Sequence, residues 1–166
     1  MKLIAIYDEK NYNENWPRIV RKAVRGIIIK NNKVALVRSE KEGFYKFPGG
    51  GIEKGESHLD ALIREIEEET GLIAISDSIK EFGLIHEIRK SILEENEIFD
   101  QLSYYYLIDV KEEVGVQKLE NYEIELGYKL EWVDIKNAYQ INSEIGKKYE
   151  TKFILREAHI LKLLMN

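Results

Sequence analysis

Glu65, Glu67, Glu68 and Glu69 crowd the end of one segment, Ser57–Thr70. In a helix, Glu65, Glu68 and Glu69 fall within about 100° of arc on one side, and Glu67 falls on the opposite flank. Such a face is costly in isolation. Glu65 and Glu69 are a like-charge i,i+4 pair, destabilising by roughly 0.2–0.5 kcal/mol. Glu68 and Glu69 also occupy the last turn, where the helix dipole disfavours anions by roughly 0.3–1 kcal/mol each. Two readings offset this cost. Water and salt can screen a bare helix end, or the oxygens can ligate a hard divalent cation, which Mg2+ accepts at about 2.1 Å. The preceding residues favour the second. Phe47-Pro48-Gly49-Gly50-Gly51 runs towards the helix. Glycine lets backbone approach a ligand closely, and a glycine loop feeding a helix N-terminus is a natural phosphate seat. Three co-facial carboxylates behind such a loop describe metal-and-phosphate chemistry.

These residues need a rigid frame. Leu59, Leu62, Ile63 and Ile66 recur at i, i+3, i+4 and i+7, which predicts a helix with Ser57 as its N-cap and Gly71 as its stop. Lys2–Tyr7 reads as a strand and Asp8–Pro17 as a loop. Ala23–Ile29 and Val34–Arg38 read as a hairpin around Lys30-Asn31-Asn32-Lys33. Glu81–Arg89, Ile98–Val110 and Tyr128–Val133 read as further strands. Glu144–Leu164 reads as one closing helix, with Ile154, Ala158 and Leu161 at helical spacing. Strands on both sides of a helix, closed by a terminal helix, predict an α/β fold with a mixed sheet packed between helices. The length of 166 residues predicts a single domain, 1–166. Within it, residues 1–20 form an N-terminal extension and residues 144–166 the C-terminal helix.

Composition narrows the chemistry. Hydrophobic residues make up 44% and charged residues 33%, a globular balance that argues against disorder. Lys and Arg number 25 against 30 Asp and Glu, a net charge of −5, which argues against a broad duplex-binding surface. An anionic small substrate remains compatible if something cationic sits in the site. Cysteine is absent, which removes disulfides, thiolate zinc sites and cysteine nucleophiles. No apolar run reaches the length of a membrane span, and the N-terminus lacks a signal-peptide core, so a soluble, cytoplasmic protein is expected. His58, His86 and His159 have no HExxH spacing, and the G-x-S-x-G, Walker and G-x-G-x-x-G patterns do not occur.

From Gly50 to Leu72 the chain matches G-x5-E-x7-R-E-U-x-E-E-x-G-U, where U is a bulky aliphatic. Gly50, Glu56, Arg64, Glu65, Glu68, Glu69 and Gly71 fill the fixed positions, with Ile66 and Leu72 at the aliphatic ones. This resembles a complete Nudix box. Gly26, Phe47-Pro48-Gly49-Gly50 and Glu131-Trp132-Val133 resemble the family's flanking layout. The resemblance implies an α/β/α sandwich that hydrolyses a nucleoside diphosphate linked to another group, with Mg2+ or Mn2+. It implies Glu65, Glu68 and Glu69 as metal ligands, with the Gly50 carbonyl as a further one. Glu56 and Arg64 correspond to residues that tie loop to helix. The general base corresponds to Glu65 or to a distant glutamate among Glu120, Glu123 and Glu125, of which Glu125 is the choice. Arg38 and Tyr45 are candidates for contact with phosphate and with base or ribose. The proline that marks the ADP-ribose subtype beyond the box is missing, because Pro17 and Pro48 are the only prolines. The alternative function is a non-catalytic nucleotide sensor acting on a partner. Lys2–Tyr7 and Trp16 could pair with a second subunit in a homodimer or cover an edge of their own sheet.

Overall fold

Neighbouring residues of the central strands enter two different cores. Ala35 packs with Ala61, Leu62 and Ile66, whereas Val34 and Leu36 pack with Ala138, Ile160 and Leu161. Tyr105 and Tyr106 divide the same way. Strands buried on both faces need a helix layer on each side, which gives a three-layer α/β/α sandwich. The computed structural model describes residues 1–165. In chain order its elements are β1 (Leu3–Asp8), β2 (Arg18–Ile27), β3 (Ile29–Lys30), β4 (Lys33–Ser39), β5 (Tyr45–Lys46), α1 (His58–Thr70), β6 (Leu72–Ala74), β7 (Lys80–Lys90), β8 (Ile98–Leu107), β9 (Val110–Val114), α2 (Asn121–Glu125), β10 (Tyr128–Asp134), α3 (Ile135–Lys148) and α4 (Lys152–Leu163).

The central sheet runs β1-β7-β8-β2 and is mixed. β1 lies parallel to β7, β7 antiparallel to β8, and β8 parallel to β2. A second, antiparallel sheet runs β10-β4-β3 with β5 on β4, and β6 pairs with β9. Helix α1 has the expected ends. Ser57 Oγ accepts the Asp60 N–H at 3.2 Å, and Gly71 closes the helix at φ 72° with its N–H on Glu67 O at 2.8 Å. This is the left-handed stop that glycine adopts without strain.

Four boundaries differ from the sequence reading. The hairpin's first arm is only Ile29–Lys30, joined to β4 by Asn31 and Asn32 at φ 51° and 59°. Ala23–Ile27 belongs instead to β2 and pairs with β8 in the central sheet. Residues 1–20 carry β1, which covers the edge of that sheet, and β2 already begins at Arg18, inside the expected extension. The run Ile98–Val110 divides into β8 and β9. The closing helix of 144–166 is two helices, α3 and α4. Tyr149 closes the first, and Glu150 turns the chain at φ 51°. The break falls in a polar stretch, Lys147 to Thr151, where no apolar stripe opposes a turn. Gly146 lets the hairpin close, since a Cβ there would lie 2.7 Å from Leu155 Cδ2. Asn166 lies outside the described residues. None of the described helices is long and apolar enough to cross a membrane.

Candidate active site

The glycine loop is held from two sides. β2 donates Val24 N–H to Gly50 O at 3.0 Å and Gly26 N–H to Pro48 O at 2.8 Å, and accepts Ile52 N–H on Lys22 O at 3.0 Å. From the helical hairpin, Asn142 of α3 bonds both backbone groups of Tyr45, at 2.8 and 2.7 Å. Glu157 of α4 accepts the Phe47 N–H at 2.8 Å. Gly49 sits at φ 140°, and a Cβ there would lie 2.1 Å from Val24 O. A Cβ on Gly50 would lie 2.3 Å from Glu65 Oε2. These two glycines are what let the loop press against β2 and α1 at once.

Arg64 ties the loop to α1. Its Nε and Nη2 donate to Glu56 Oε1 and Oε2 at 2.8 and 2.9 Å, and Nη2 also reaches Gly51 O at 3.2 Å. Nη1 donates to Glu65 Oε1 at 2.8 Å and to Glu68 Oε2 at 3.2 Å. The guanidinium fork holds the Glu56 carboxyl down to a pKa of about 2, from an ordinary 4.5. A folded pKa below the unfolded one stabilises the fold above about pH 4.5, and that stability is lost as pH falls through about 2. Glu56→Gln is therefore expected to be less stable than the parent near pH 7 and to match it near pH 2. Urea unfolding at a series of pH values checks this, and a gap that stays constant with pH would contradict it.

The co-facial carboxylates open on one cavity of about 110 Å3. Glu65, Glu68, Glu69, Glu120 and Glu123 line it with Gly50 and Gly51, against the cations Arg21 and Lys118. Glu67 is not in its wall. Glu69 is 2% exposed. Burial pushes its pKa up to about 7, although Lys46 and Arg25 pull against that rise. Burial raises Glu65 as well, opposed by the Arg64 guanidinium. Among the described residues, no three carboxylate or imidazole groups converge closely enough to grip a metal as they stand. The reason is visible. Arg64 draws off Glu65 and Glu68, and Lys46 Nζ and Gly49 N–H engage the two oxygens of Glu69. The donor set nonetheless fits a hard divalent cation, being all oxygen, strongly anionic and partly dehydrated.

A second cavity of about 240 Å3 adjoins the first and shares Arg21, Gly50 and Tyr122 with it. Its sign is opposite. Arg21, Arg25, Lys46, Arg89 and Arg156 line it, against Glu87 and Glu157. The floor is one face of the central sheet, where Arg21 pairs with Gln101 and Arg25 with Tyr105 across β2 and β8. Residues four apart on a strand share a face, which is why both arginines reach this side. The sequence reading missed this cavity because it began the strand at Ala23. The Arg21-x3-Arg25 spacing was the signal that could have found it.

Three candidate side chains stand elsewhere. Arg38 Nη1 donates to Glu131 Oε1 at 3.2 Å, and Tyr45 OH donates to Glu131 Oε2 at 2.9 Å. Neither Arg38 nor Tyr45 lines either cavity. They form a polar cluster across β4, β5 and β10. Glu125 is exposed and also lies outside both cavities. Two residues along α2 rotate a side chain by about 200°, so Glu123 faces inward in place of Glu125. Glu123 Oε2 accepts the Glu120 N–H at 2.9 Å in a capping box.

Comparison with known proteins agrees with this architecture. The chain is 48% identical over 75 residues to the ADP-ribose pyrophosphatase of Methanocaldococcus jannaschii, a match covering 43% of each chain. The chain thus spans under half the length of that relative. It is 32% identical over 108 residues to the RNA pyrophosphohydrolase of Campylobacter jejuni, covering 63% of this chain and 67% of that one. A solved NUDIX hydrolase from Nitrosomonas europaea shares the fold at a TM-score of 0.59 and 20% identity, over 86% of this chain and 90% of that one. The family model of the NUDIX domain matches residues 20–153, which span the loop, α1, both cavities' sheet floor and α3. With the box residues gathered around the acidic cavity, that match establishes that this chain belongs to the NUDIX family.

Proposed function

We propose that this chain hydrolyses a phosphoanhydride bond in a nucleoside diphosphate linked to another group. The observation that carries the reading is the adjacency of an anionic and a cationic cavity that share Gly50, Arg21 and Tyr122. One suits a divalent cation and the other the phosphates it would bridge. Glu65, Glu68 and Glu69, with the Gly50 carbonyl, would hold Mg2+ or Mn2+. Gly50 O already accepts the Val24 N–H, which leaves its second lone pair for the ion. Once bound, such an ion would neutralise phosphate charge and polarise phosphorus.

The proton is handled by Glu65. No donor among the described residues reaches Glu65 Oε2, whereas both oxygens of Glu69 and of Glu123 are engaged. Burial raises the affinity of Glu65 for a proton. Water attacks phosphorus, its proton passes to Glu65, and the bridging P–O bond breaks with its electron pair leaving on the departing group. Arg64 holds the carboxylate in place through Oε1.

The test is a panel of nucleoside triphosphates, nucleotide sugars, ADP-ribose, dinucleoside polyphosphates and triphosphorylated RNA, each with Mg2+ or Mn2+. Release of phosphate, pyrophosphate or mononucleotide from at least one member is expected, and chelation by EDTA should stop it. No turnover of any member overturns the proposal.

A further inference from the structure

Glu67, Glu68 and Glu69 crowd the last turn of α1, and no basic residue stands in that turn to offset the helix dipole. The last four carbonyls of a helix also lack partners within it. Here the partners come from residues 115–120, the segment between β9 and α2. Lys118 N–H donates to Glu68 O at 2.7 Å, Gln117 Nε2 to Glu69 O at 2.5 Å, and Gly115 N–H to Gly71 O at 2.7 Å. The approach is close, since a Cβ on Gly71 would lie 2.8 Å from Gly115 O. Of the three donors, only Gln117 uses its side chain. It holds the main chain of Glu69, whose own carboxylate is buried at the acidic cavity.

The same segment leads into the other wall of that cavity. Lys118, Glu120, Tyr122 and Glu123 line it together with Glu65, Glu68 and Glu69 of α1. Among the described residues, no three of these carboxylates converge as they stand. Their spacing therefore depends on how the segment is hung on the helix. Leu119 fastens it to the core behind, and the three bonds fasten it to the end of α1. We propose that Gln117 is a positioning residue: through Glu69 O it registers the wall of Glu120 and Glu123 against the carboxylates of α1, and so sets the affinity of the acidic cavity for a divalent cation. This rests on the reading of that cavity given above. Gln117 lines neither the acidic nor the basic cavity, so it acts through these groups and touches no ligand itself. Side chains that orient metal-binding groups from behind are worth about 10- to 100-fold in metal affinity.

Gln117→Leu keeps the bulk of the side chain and removes the donor. Titrated with Mn2+ and followed by electron paramagnetic resonance, it should bind the ion at least about tenfold more weakly than the parent, and Gln117→Ala should do the same. Affinity within about threefold of the parent overturns the proposal, and so does a parent that takes up no Mn2+ at millimolar concentration. Without metal, the melting temperature of Gln117→Leu should fall by less than about 6 °C, as the loss of one hydrogen bond allows. A larger fall would mark a general structural role and overturn the assignment. Replacing both Glu120 and Glu123 by Gln removes their charges and keeps the acceptor oxygens of the capping box. In that background Gln117→Leu should change Mn2+ affinity less than about threefold, because the wall it registers no longer contributes. A tenfold loss there as well would mean that Gln117 acts on α1 alone, and overturns the proposal. If the parent binds Mn2+ but cleaves no nucleotide, the hydrolytic reading fails, and the Mn2+ titrations still decide the role of Gln117.

Discussion

Glu65→Gln is expected to lower kcat by about 100- to 10,000-fold with little change in fold stability. The substitution keeps the shape of the side chain that lies against Gly50. It removes the half-buried carboxylate oxygen, Oε2, that no donor among the described residues engages. Arg64 keeps Glu56 and Glu68 as partners, so the loop stays tied to the helix. The melting temperature should therefore stay within a few degrees of the parent. The acid limb of the pH–rate profile should also disappear, because burial raises that carboxyl above its ordinary range and protonation would otherwise switch it off. Steady-state kinetics with a thermal melt as control measures both. A kcat within threefold of the parent would move the proton-accepting role to another side chain.

Glu157→Ala should be the most damaging substitution for the fold itself. Glu157 is 1% exposed and lies one hundred and ten residues from one of its partners. Its Oε1 takes the Tyr105 hydroxyl at 2.9 Å and two donors of Arg156, and its Oε2 takes the Phe47 N–H. Truncation leaves a buried guanidinium short of one counter-charge and orphans a hydroxyl and a backbone amide. Breaking a buried pair costs about 3–5 kcal/mol, which for a chain of this size lowers Tm by roughly 10 °C. Urea unfolding should show the loss, and Glu157→Ala combined with Arg156→Met should recover part of it. A loss below about 1 kcal/mol would mean that Glu87 alone neutralises Arg156.

Features written in local sequence were readable, and features made by tertiary contact were not. Helix α1 announces itself through its apolar stripe, the Ser57 cap and the Gly71 stop, and the box residues share its face. The turn at Asn31-Asn32 is equally local. β6 is only three residues long, and β9 reads Val-Lys-Glu-Glu-Val with its charges exposed, so neither shows the alternation of a half-buried strand. The break between α3 and α4 contains no glycine or proline and rests on Glu150 adopting a left-handed conformation. Which of Glu123 and Glu125 faces inward depends on the phase of a five-residue helix that its neighbours alone determine. Arg21 and Arg25 lie on a strand whose start the local pattern misplaces, and only their four-residue spacing hints that they share a face. The carboxylates were thus legible in the sequence, and the cations that face them were not.

The suspension of the glycine loop from Asn142 and Glu157 has a consequence for the nascent chain. Ribosomes add about 5–20 residues per second, so Glu157 is made roughly 5–20 s after Phe47. During that interval α1 can wind and its carboxylates can cluster, but the Phe47 N–H beside them lacks its Glu157 acceptor. A polypeptide stalled before the second helix of the hairpin is expected to emerge with its acidic residues in place and its basic cavity unfinished, since Arg156 and Glu157 are still missing.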